Sequence, residues 1–135
     1  MSNIDFSALI TAESKQETAR AHAQERLATL RWTHETGGLT LTDGAVVGTS
    51  RDAQSQIANA AQAVQAGLIT TPMPWKTPQG WIQLSPAAVL DMAAQVQQHV
   101  QACFTAERLV SEQINASAVP GSLDLDAAFA QALTT

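Results

Sequence analysis

His34-Glu35, inside the stretch RWTHETGG from Arg31 to Gly38, is the pair with the strongest claim to chemistry. A His-Glu pair opens the zinc-protease pattern HExxH, in which two histidines four apart on one helix face hold the metal and the glutamate acts as general base. Position 38 is glycine, however, and Gly37-Gly38 breaks the helix that the pattern needs, so no catalytic zinc is expected. His22 and His99 also lack a second histidine three or four residues away, and each histidine reads as a surface or partly buried side chain, His34 as a hydrogen-bonded corner. Gly37-Gly38 forms no GxGxxG or P-loop with its neighbours, no GxSxG occurs, and the carboxylates are too dispersed to form a recognisable acid–base pair. Cys103, the one cysteine, has no disulfide partner in the chain and reads as a small packing residue. These residues point to no cofactor, no metal and no enzyme. Trp32, Trp75 and Trp81, in a chain without tyrosine, could form a platform for sugars or bases. Each lies beside an element boundary, so the preferred reading is a structural corner in which they wedge a sheet against helix ends, with Gly37 and Gly38 as its turn.

Composition narrows the classes further. The 135 residues suit one domain that needs no disulfide or metal. Seven basic residues, scattered from Lys15 to Arg108, stand against twelve acidic ones, for a net charge of -5; no nucleic-acid partner is expected. The opening MSNIDFSALI has no basic n-region, and no apolar run approaches a membrane span, so neither secretion nor a membrane partner is expected. The expected location is the cytoplasm, or a particle assembled there.

The elements that must position these residues follow from periodicity. Thr11 to Trp32 lacks Gly and Pro, and Ala12, Gln16, Ala19, Ala23, Leu27 and Leu30 recur at spacings of four and three, the stripe of a helix made for close packing. Leu39 to Thr42 alternates, Asp43-Gly44 signals a hairpin turn, and Ala45 to Val47 resumes the apolar run. Thr49 or Ser50 can cap a second helix over Gln54 to Ala66, closed by Gly67. Thr70 to Pro78, with three prolines, reads as a loop, and Trp81 to Leu84 as the third strand of the sheet. Ser85-Pro86 opens a last long helix to about Ala116. Its seam, Val89, Ala93, Val96, Val100, Cys103, Glu107, Val110 and Ile114, has coiled-coil spacing, and spacing alone leaves open an intramolecular hairpin or a homo-oligomer. After Val119-Pro120-Gly121, Leu125, Phe129 and Leu133 share a face that must dock on the chain's own core or on a partner. The expected fold is α+β: two long antiparallel helices with a small three-stranded antiparallel sheet and a short helix inserted between them. Residues 1–10 form an arm, 11–117 one domain and 118–135 a tail with a short amphipathic helix.

One further observation concerns order. Arg31-Trp32, Glu35-Thr36-Gly37-Gly38, Asp43-Gly44, Thr49-Ser50-Arg51, Ser55-Gln56, Trp75-Lys76-Thr77, Gly80, Leu84, and His99-Val100-Gln101-Ala102-Cys103-Phe104 with Glu107 follow one another in an order that resembles the DUF4376 family of tailed bacteriophages and prophages. The resemblance covers about Arg31 to Ala116. It implies a link to tail fibres or their assembly, because members of that family are often the C-terminal part of longer tail fibre or tail fibre assembly proteins; it implies no catalytic residues. The expected function is that of a non-enzymatic tail-associated protein, structural component or assembly factor, working through contacts with phage tail or tail fibre proteins. The expected contact residues are Ile4, Phe6, Leu9, Val96, Val100, Val110, Ile114, Leu125, Phe129 and Leu133. The alternative is a small phage accessory protein that binds and modulates a host defence or regulatory factor.

Overall fold

The computed structural model describes residues 6–135, and side chains from residue 11 onward. The expected contact residue Ile4 lies outside the described residues, as do the side chains of Phe6 and Leu9. In chain order the elements are α1 (Phe6–Thr36), β1 (Leu39–Thr40), β2 (Val46–Val47), α2 (Arg51–Gln65), β3 (Met73–Thr77), β4 (Gly80–Leu84), α3 (Pro86–Ala116), one turn of 3-10 helix (Pro120–Ser122) and α4 (Leu125–Leu133). They divide into two compact units, one of residues 6–31 and 104–135, the other of residues 32–103. The two long helices each contribute to both.

In the first unit, α1 and α3 run antiparallel. Arg20 donates to the Ile114 carbonyl at 2.6 Å, Gln24 to that of Ser111 at 3.3 Å, and Arg31 to the Glu107 carboxylate at 3.3 Å, so partner numbers fall as α1 advances. Arg20 also reaches the Ser117 carbonyl at 3.2 Å, supplying donors to carbonyls that the end of α3 leaves without helical partners. The core joins Ala23 and Leu27 of α1, Ala106, Val110 and Ile114 of α3, and Leu125, Phe129 and Ala132 of α4. Asp124 caps α4 by accepting from Ala127 N–H at 3.1 Å, and the 4-3-spaced apolar face then turns inward.

The second unit holds both hairpins and α2 around Leu41, Val47, Ile57, Ala60, Leu84, Val89, Met92 and Val96. Ser50, rather than Thr49, caps α2, accepting from Ala53 N–H at 3.1 Å. At its far end Leu68 N–H bonds to the Ala63 carbonyl and Gly67 N–H to that of Val64, the paired bonds of a Schellman stop. Ser85 caps α3 through Ala88 N–H at 3.1 Å, with Pro86 in the first helical position.

The expected α+β class holds, and the three-stranded sheet does not. β1 pairs only with β2, and β3 with β4, giving two separate two-stranded antiparallel sheets. Trp81–Leu84 is therefore no third strand; its partner is Met73–Thr77, the stretch read as a loop for its prolines. In a two-stranded ribbon every strand is an edge, so Pro74 withholds its missing N–H from no ladder that must close.

Candidate functional site

The corner after α1 is built around one buried carboxylate. Glu35 has a fully buried side chain in the last turn of α1 and accepts from Arg51 Nε at 2.5 Å, Arg51 Nη2 at 3.0 Å and Gln54 Nε2 at 2.9 Å. A planar guanidinium is suited to this two-point contact, and Gln54 supplies a third donor to the carboxylate. The same Gln54 nitrogen donates to the Thr49 carbonyl at 2.9 Å. Thr49, also fully buried, donates its hydroxyl to the Glu35 carbonyl at 2.7 Å and accepts from Gly38 N–H at 2.9 Å. Five bonds thus tie the end of α1 to the start of α2. The hydrogen bond to Glu35 pushes the Arg51 pKa up; desolvation opposes it and the carboxylate's charge adds to it.

The two glycines have different tasks here. Gly38 adopts φ +98°, the backbone that turns the chain out of the helix, whereas a Cβ on Gly37 would lie 2.7 Å from the Thr33 carbonyl oxygen. His99 Nε2 sits 3.0 Å from the His34 carbonyl oxygen, to which it donates when protonated there. His34 itself is exposed.

What the knot displays is an aromatic–cation pair. The Trp32 side chain is exposed, with the Arg51 guanidinium carbon 5.0 Å from its ring centre. The expectation that all three tryptophans wedge into a core is corrected: Trp32 is 48% and Trp81 70% exposed, and Trp75 alone packs against the core of the second unit. Trp75 and Trp81 lie on neighbouring strands but on opposite faces: Trp75 pairs with inward Ile82, and Trp81 with exposed Lys76.

The expected contact residues gather in two cores. Val110, Ile114, Leu125 and Phe129 are buried together in the first unit with Leu133 packed against them, and Val96 is buried in the second with Val100 beside it. The α3 seam is filled by the chain's own residues. Sequence reading missed Glu35, Thr49, Arg51 and Gln54 as a connected group. Glu35, Thr49 and Arg51 stand among the residues that carry the resemblance, but Glu35 passed for part of a helix stop and Thr49 for a cap.

Elsewhere, a cavity of about 340 Å³ in the first unit is lined by His22, Glu25, Arg26, Thr29, Leu30 and Asp126, an open groove with both signs of charge. Among the described residues no three His, Cys, Asp or Glu side chains gather to hold a metal, and no helix is long and apolar enough to cross a membrane.

Comparison with known proteins returns no matching curated protein and no matching solved structure. The family described as "Domain of unknown function (DUF4376)" matches residues 18–133, which takes in the Glu35 knot, both hairpins, all of α2 and α3, and α4. By that match over most of its length, the chain belongs to the DUF4376 family.

Proposed function

We propose that this protein is a non-enzymatic component or assembly factor of a bacteriophage or prophage tail fibre apparatus, and that it works through protein–protein contacts. The phage setting rests on the sequence resemblance over Arg31 to Ala116 together with membership of the family. The mode of action rests on one observation: Trp32 stands exposed beside Arg51, and the arginine is anchored by the buried Glu35. Tryptophan and arginine are the residue types that most often dominate binding energy in protein interfaces, and a side chain already held in place gives up less entropy on docking. A buried carboxylate devoted to orienting an exposed arginine supports a displayed contact surface.

Quantitative mass spectrometry of purified particles and of infected-cell lysate tests the reading. Presence in particles at a fixed copy number is expected for a structural part, and association with tail fibre proteins in lysate alone for an assembly factor. Absence from both associations, with the chain bound to a host protein, overturns it.

A further inference from the structure

The β3–β4 ribbon has two open edges: among the described residues each strand is paired along one side and has no strand along the other. Leu84 belongs to the core of the second unit, and Met73, Trp75 and Ile82 pack against it, so the ribbon is held from its inner face. The two edges differ in chemistry. β3 carries Pro74, which has no N–H to offer, and Lys76, a type that guards edges against pairing. β4, Gly80-Trp81-Ile82-Gln83-Leu84, carries neither proline nor charge. On its outer face Trp81 is the more exposed of the two solvent-facing tryptophans, with the Lys76 ammonium 5.9 Å from its ring centre. A row of backbone donors and acceptors with no strand beside it is complementary to the backbone of another extended chain. Lys76 is the sole charged residue of the two strands, so the charge that the ribbon itself offers favours an acidic partner.

We propose that the open edge of β4 receives an extended peptide segment of a partner protein as a third strand, with Trp81 as its side-chain anchor and Lys76 drawing a carboxylate of the incoming segment. The inference rests on the reading that the chain acts by protein contacts, and adds the place and the partner's chemistry. Backbone pairing supplies the affinity; the tryptophan selects an apolar residue beside it.

A library of displayed random peptides, selected on the full chain, tests this. Selected peptides are expected to slow amide exchange along β4 and to lose binding when N-methylated at alternate residues. They are also expected to bind Trp81→Lys at least about tenfold more weakly. Trp81→Lys changes an exposed side chain, and an unaltered far-UV circular dichroism spectrum verifies that it folds. Peptides that tolerate N-methylation, that leave β4 exchange unchanged, or that bind Trp81→Lys as well as the parent overturn strand addition, as does a library that yields no binder. The particle measurement fails separately. A chain found in tails whose β4 fails this test loses only the present inference, and a chain absent from tails and their assembly whose β4 binds peptides loses only the functional one.

Discussion

A carboxylate with no solvent exposure is costly unless its oxygens are satisfied, and Glu35 meets that cost with Arg51 and Gln54. Glu35→Ala should lower stability by about 2 kcal/mol in urea unfolding, less than for a fully buried pair because the Arg51 side chain is 51% exposed and can turn to water. Arg51→Met should cost more than Glu35→Gln in the same experiment, since it strands a buried charge where the other removes one. The raised Arg51 pKa adds no pH dependence at working pH: a cation whose folded pKa is raised contributes fully below its unfolded value, and that contribution fades only in strong alkali. The tryptophans should separate by exposure. Trp32→Ala should change stability by no more than about 1 kcal/mol, the scale of an exposed cation–π contact. Trp75→Ala should cost about 3 kcal/mol, because its ring packs against a core. Thermal or urea unfolding of the two variants side by side measures the difference.

At the scale of elements, α4 decides how the chain's C-terminal segment is to be understood. Leu125 and Phe129, each 1% exposed, complete a core whose other walls are Leu27, Val110 and Ile114, so the apolar face docks within its own unit. Phe129→Ala should cost about 3–5 kcal/mol in denaturant unfolding. Deletion of residues 121–135 should expose that core and reduce helicity beyond the loss of α4 itself, read by circular dichroism and by amide exchange in α1 and α3. Retained protection of Leu27 and Val110 amides in the truncated chain would count against this account. The helices were legible from local chemistry: Ser85-Pro86 opens α3, and Gly67 closes α2. The ribbons were only half legible. Trp81 to Leu84 alternates visibly, but its partner Met73 to Thr77 is hidden by prolines that an edge position tolerates.

Across the whole molecule, α3 supplies residues to two cores, Val110 and Ile114 to one and Val89 and Met92 to the other, while α1 supplies Ala23 and Leu27 to the first. Cys103, fully buried in α3, should resist a thiol reagent such as DTNB in the native protein and react promptly in denaturant, which spectrophotometric titration measures. Fast native reaction would mean that α3 opens there. Sequence by itself determined the helix-rich α+β class, the capped starts of α2 and α3, the turn at Asp43-Gly44, and the family resemblance, because each depends on residue types a few positions apart. Tertiary structure decided what lies far apart in the chain. It joined Glu35 to Arg51 sixteen residues on, placed α4 against Leu27, and left Trp32 and Trp81 in solvent while seating Trp75 on a core. The physical reason is that caps and turns are satisfied within their own segment, whereas burial of a ring, a carboxylate or an apolar helix face depends on which distant surface arrives to cover it.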